Sequence, residues 1–190
     1  MGPESLVLAS ELPGRPIVAI DHGDDIAEIK DVVFDPISHR LEGFTLNKRG
    51  WFRGQLKATL PAPSISAIGP AAVMVSSADD LVERGESSAP LEAPEENVSV
   101  MGSTVMSAAG DSLGTISDVV IETGPSPVAV GYKVEGENGE IFVPISAQMA
   151  LSEDNLILPE AARAFVRNDL AGFGAAVLDY RSTLDNASGA

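Results

Sequence analysis

The chain has two imidazoles, His22 and His39, and the first stands among Asp21, Asp24 and Asp25. Imidazole and carboxylates grouped this way can ligate a divalent metal if several of them converge. The order is not the Asp-x-Asp-x-Asp-Gly spacing of a calcium loop. Both histidines fall in turn-like stretches beside acids or Ser, so the expectation is solvated turn residues and no metal site. A second candidate for chemistry is a carboxylate pair, Asp31 and Asp118, suited in principle to acid–base work. The two occupy one position of an internal repeat. Duplication of a structural residue gives the same recurrence, so each is expected to bond backbone amides at a bend. The sequence holds no Gly-x-Ser-x-Gly, no phosphate loop and no dinucleotide fingerprint. It has no Cys, which removes thiol catalysis, disulfides and Cys-ligated zinc. The expectation is a protein that is not an enzyme and takes no cofactor.

One cluster departs from the acidic average. Arg40, Lys48, Arg49, Arg53 and Lys57 surround Trp51-Phe52, which holds the chain's one Trp. Trp and Arg together suit an interface hot spot, because both bury large area at low entropic cost. The same residues suit nucleic acid, through phosphate contacts and base stacking. A structural alternative has Trp51 or Phe52 closing one end of the fold, with the cations solvated around it. Arg40, Lys48, Arg49, Trp51, Phe52, Arg53 and Lys57 are the candidate interaction residues. The net charge of −16 argues against nucleic-acid binding through the whole surface and against adsorption to anionic lipid. Nucleic acid would be met only by way of a ribosome.

These residues ride on a duplicated pattern of short strands. Leu12-Pro13-Gly14-Arg15-Pro16-Ile17-Val18 aligns with Val100-Met101-Gly102-Ser103-Thr104-Val105-Met106, and Gly23 with Gly110. Ile26 to Phe34 aligns with Leu113 to Ile121, and Glu42-Gly43-Phe44-Thr45-Leu46 with Val130-Gly131-Tyr132-Lys133-Val134. Thr59-Leu60-Pro61 matches Phe142-Val143-Pro144, and Val73-Met74-Val75 matches Leu156-Ile157-Leu158. A repeat of this length sets the domain count. Alternating and β-branched runs between Gly, Asp and Pro turns read as strands. Asn47-Lys48-Arg49-Gly50 is a hairpin tip, and Gly136-Glu137-Asn138-Gly139 is its tighter counterpart.

The predicted organisation is a first module over 5–75, an acidic linker over 76–97, a second module over 98–158 and a helical tail over 159–190. The linker carries Asp79, Asp80, Glu83, Glu86, Glu92, Glu95 and Glu96 against Arg84, so it is expected to stay mobile. In the tail, Pro159-Glu160 opens a helix whose apolar face is Ala161, Ala162, Phe165, Val166 and Leu170. Gly172 and Gly174 should weaken any continuation. Val177, Leu178 and Tyr180 could form a second short helix, and 185–190 should fray. No stretch approaches the roughly 20 apolar residues of a membrane span. The start, Met1-Gly2-Pro3-Glu4-Ser5, does not read as a signal peptide.

Each copy resembles a PRC-barrel domain. The shared pattern is a Leu/Val-x-Gly-x-x-Val opening, a Gly turn, a Gly/Ala-x-Ile/Val-x-Asp-Val-Val strand, a Gly-aromatic strand and an apolar–Pro step. The first copy has Ala27 at the place where Gly is more usual and where the second has Gly114. The resemblance implies an all-β fold of two tandem small barrels joined by the acidic linker, with the C-terminal helical tail. It also implies a protein-binding module, since such barrels occur in the reaction-centre H subunit and in a ribosome maturation factor. The expected function is a soluble cytoplasmic adaptor with a protein partner, self-association remaining open. The alternatives are a ribosome- or RNA-associated factor and a peripheral subunit of a membrane or photosynthetic complex.

Overall fold

Short runs rich in apolar and β-branched residues form the strands, two to eleven residues long, and in several of them buried positions alternate with partly exposed ones. The structure, a computed structural model, describes residues 5–35, 38, 40–49, 54–83, 100–152 and 154–188. Its strands in the first half are β1 (Leu6–Leu8), β2 (Pro16–Ala19), β3 (Asp25–Asp35), β4 (Arg40–Asn47), β5 (Gln55–Pro61), β6 (Ile65–Ile68), β7 (Val73–Val75) and β8 (Val82–Glu83). The second half holds β9 (Thr104–Ser107), β10 (Ser112–Glu122), β11 (Val128–Gly136), β12 (Gly139–Pro144), β13 (Ala150–Leu151) and β14 (Asn155–Leu158). Two helices come after them, α1 (Glu160–Arg163) and α2 (Leu170–Ser188).

The same sheet is built twice. One runs β6-β7-β2-β3-β4-β5-β8, the other β13-β14-β9-β10-β11-β12. Each has one parallel pair at the matched place, with Ile17 opposite Val73 and Val105 opposite Leu156. The opening glycines agree as well. Gly14 and Gly102 stand at φ of 86° and 87°, which a side chain strains to adopt. Their amides donate to the carbonyls of Ile29 and Ile116, both at 2.9 Å. In each copy an extra residue bulges β3 or β10, Ile26 in one and Leu113 in the other. The bulge therefore survives the exchange of Gly114 for Ala27. Gly114 takes φ of 133°, whereas Ala27 keeps a negative φ and is fully buried.

The matched apolar positions make the two cores. Ile17, Ile29, Phe44, Leu46, Leu60, Val73 and Val75 fill the first, and Val105, Ile116, Tyr132, Val134, Val143, Leu156 and Leu158 fill the second. Complete burial of one such side chain contributes about 1.5–3 kcal/mol. The described residues divide into two compact units. One holds those of 1–35, 39–96 and 121–128, the other those of 36–38, 97–120 and 129–190. Within the first unit the Thr123 amide and hydroxyl both donate to the Ser5 carbonyl, each at 2.8 Å.

Two expectations are corrected. The acidic linker does not begin at 76. Residues Ala78–Asp80 form a 3-10 turn capped by Ser77, and β8 pairs Val82 with Thr59 and Glu83 with Ala58. Edge pairing uses backbone groups, so acidic composition does not prevent it. The remainder of the expected linker, 84–97, lies outside the described residues. The tail is also cut differently. The helix stops after Arg163, and Phe165 and Val166 lie outside it. Arg167 instead forms an antiparallel bridge with Phe142, its carbonyl accepting from Phe142 N at 2.7 Å and its amide donating to Phe142 O at 3.1 Å.

α2 then runs through Gly172 and Gly174 to Ser188, and 189–190, the end of the stretch expected to fray, lie outside the described residues. Asp169 Oδ1 accepts from the Gly172 amide at 2.7 Å, which caps the helix start. Phe173, Ala176, Val177 and Tyr180 are buried, and this burial outweighs the roughly 1 kcal/mol that each helical glycine costs. Phe173 packs on Phe142 with ring centroids 5.8 Å apart, and Phe165 on Tyr180 at 5.0 Å. A Cβ at Gly131 would collide with the Phe173 ring and the Val143 carbonyl, so the helix seat requires glycine there. Phe173→Ala should cost about 3–5 kcal/mol in chemical denaturation. Leu178→Ala on the exposed face of the same helix should stay within about 0.5 kcal/mol.

Candidate interaction site at the β4–β5 hairpin

β4 carries the cluster's basic residues at both of its ends, and the strand's length separates them. Arg40 opens β4 opposite Asp35, whereas Lys48 and Arg49 come after its last residue, Asn47. Seven steps of extended chain are about 23 Å. Arg40 is therefore not part of the hairpin cluster, which corrects its assignment from sequence. Lys48 closes the hairpin, its amide donating to the Gly54 carbonyl at 2.8 Å. Lys57 joins the same end, because Gln55 pairs with Asn47 and Thr59 with Thr45, leaving Lys57 in the bulged stretch between them. Lys48, Arg49 and Lys57 are exposed. Trp51, Phe52 and Arg53 lie outside the described residues.

Sequence reading missed the acidic side of this end. The turn between β2 and β3 lies here, and Arg49 donates to Asp25 Oδ2 at 2.6 Å. In the same turn His22 Nδ1 lies 3.0 Å from Asp21 Oδ2, both exposed. The signal was in the β3–β4 register. Counting back from Glu28, which faces Asn47, brings Ile26 level with Arg49 and so places Asp25 one residue from it. The end is therefore a mixed-charge surface, less suited to phosphate than its basic residues alone suggest.

The recurrent carboxylates sit in different surroundings. Asp31 is exposed, pairs with Lys30 at 2.9 Å and accepts from the Thr45 hydroxyl at 3.0 Å. Its pKa is lowered, first by the hydrogen bond from Lys30. Asp118 is buried, and its Oδ1 accepts from the Val119 amide at 2.8 Å. The expected bond to a backbone amide is thus present at Asp118, while Asp31 takes a hydroxyl and an ammonium instead. Thr45 and Lys133 are the matched residues on the neighbouring strand, and Asp118 is one of the charges that raise the Lys133 pKa.

The decisive observation is that two copies share strand order, parallel pair, bulge and core, with a family match on each. The PRC-barrel domain family matches residues 4–81 and 97–163. The protein belongs to the PRC-barrel family. Each match runs past the last core strand of its PRC barrel, to the 3-10 turn after β7 in one and to the end of α1 in the other. No curated relative matches the chain. Among the described residues no helix is long and apolar enough to cross a membrane.

The second PRC barrel presents the opposite character at its matched hairpin. Gly136 pairs with Gly139 around the exposed Glu137-Asn138, and Gly139 takes φ of 108°. Lys133 Nζ bonds Glu140 Oε2 at 2.8 Å across β11 and β12. Glu140, with smaller contributions from Glu135 and Asp118, holds the Lys133 pKa above its ordinary 10.5. A raised lysine pKa stabilises the fold fully below the unfolded value and loses that contribution as pH climbs through the folded one. Glu140→Gln should therefore remove the part of the stability curve that decays above about pH 10, and cost within about 1 kcal/mol at neutral pH. Asp25→Asn, at the partly exposed pair in the first barrel, should also stay within about 1 kcal/mol. Urea unfolding across pH measures both.

Proposed function

We propose that this tandem PRC-barrel protein is a non-catalytic adaptor that binds a protein partner through the β4–β5 hairpin end of its first barrel. The observation that supports the reading is the divergence of the two matched hairpins over matched cores. The first carries exposed Lys48, Arg49 and Lys57, and the second Glu135, Glu137 and Glu140. Close packing constrains the core positions of both copies. Exposed tip residues carry little of the stability, so they are free to differ where contacts differ. Trp51 adds, in sequence, the residue type that anchors protein interfaces. The ion pair between Arg49 and Asp25, with the net charge of −16, favours a protein partner over nucleic acid. The Cys-free chain suits a reducing cytoplasm.

Affinity purification of the tagged protein from its native lysate tests this, with wild type beside Lys48→Glu/Arg49→Glu/Trp51→Ala. Matching circular dichroism and melting of the two proteins come first. The expected result is a specific partner, retained by wild type and reduced at least ten-fold in the variant. Equal recovery of the same partners by both would place the interface elsewhere. A partner set made of ribosomal proteins, lost steeply with added salt, would favour the ribosome-associated reading.

A further inference from the structure

We propose that Asn138 is a site of spontaneous covalent modification, converting to aspartate and isoaspartate through a cyclic imide formed with Gly139. The chain has Asn at 47, 97, 138, 155, 168 and 186, and Asn138 alone precedes Gly. A residue with a side chain at the following position screens its own backbone nitrogen, and glycine does not. In the β11–β12 hairpin, Glu137, Asn138 and Gly139 are all exposed. A Cβ placed on Gly139 would meet no atom within 4 Å, so nothing crowds that side of the residue. The competing asparagines are enclosed differently. Asn47 lies in β4 between Glu28 and Gln55, and Asn155 lies in β14 opposite Thr104 and before the buried Leu156. Asn186 lies within α2.

The chemistry needs only water. The Gly139 backbone nitrogen loses its proton and attacks Cγ of Asn138. A bond forms between that nitrogen and Cγ, the Cγ–Nδ2 bond breaks, and the side-chain nitrogen leaves as ammonia with the proton. Water then adds to one carbonyl of the imide ring. Opening on the backbone side leaves isoaspartate, and opening on the side-chain side leaves aspartate. The Gly136–Gly139 pair that closes the hairpin holds the turn in register, so reaction proceeds when this end frays. Either product sets a new carboxylate beside Glu137 and Glu140 on a tip that is already acidic. Isoaspartate also adds a methylene to the main chain, which the Gly136–Gly139 pairing cannot absorb without a shift of register. The second barrel's tip thereby changes charge and shape with the age of the molecule.

Peptide mass spectrometry of the folded, full-length protein tests this after incubation in mildly alkaline buffer at physiological temperature. The expected result is conversion at Asn138 at least ten-fold faster than at Asn47 or Asn155, with isoaspartate as well as aspartate. Asn138→Ser should remove the leading mass change and keep Gly139 in its turn. Gly139→Ala should slow conversion several-fold, and Asn138→Ser serves if that variant disturbs the hairpin. Conversion led by another asparagine would overturn the proposal. So would an unchanged Asn138 over a period in which a peptide spanning 134–142 converts fully.

Discussion

A sheet that ends on a buried strand leaves backbone N–H and C=O groups to be satisfied. In both halves of this protein the chain itself does so just after leaving its barrel. Val82 and Glu83 pair with Thr59 and Ala58 on β5, and Arg167 pairs with Phe142 on β12. Thr59 and Phe142 are matched positions of the repeat. The module is therefore longer than its core strands, and the chain just beyond β7 or β14 belongs to it. In the second half this bridge also sets the start of α2. From there Phe173 descends onto Phe142 and Gly131, and Tyr180 meets Phe165.

Packing and pairing have kept the two copies alike, and the residues outside those constraints have drifted. Phe44 and Tyr132 share one fully buried position. Burial pushes the Tyr132 hydroxyl well above the ordinary tyrosine range, so it stays protonated. Asp31 and Asp118 share one place in the strand, yet one is exposed beside Lys30 and the other buried on the Val119 amide. Where neither core nor ladder intervenes, at the hairpin tips, the difference reaches a reversal of charge. That contrast gives the adaptor reading its location.

Much of this was legible in the sequence, because the repeat reports side-chain burial and strands alternate with a period of two. The strands, the paired glycine turns and the matched cores come from it. The features that were not legible depend on backbone contacts between residues far apart in the chain. Val82-Glu83 reads as acidic linker, since nothing in two residues announces an edge strand. Phe165 and Val166 fit a helical spacing, yet the Arg167 bridge draws the chain out of the helix. Arg40 lies close to Lys48 in sequence and a full strand away in space. Asp25 is far from Arg49 in sequence and bonded to it.

Amide hydrogen exchange across the two edge closures tests the account most directly. The duplicated barrel with a self-supplied edge predicts slow exchange for the Phe142 and Arg167 amides, and slowed exchange over 78–83 relative to exposed turns such as 137–138. Exchange over 78–83 and at Arg167 as fast as in those turns would contradict it, leaving both barrels to end at their core strands.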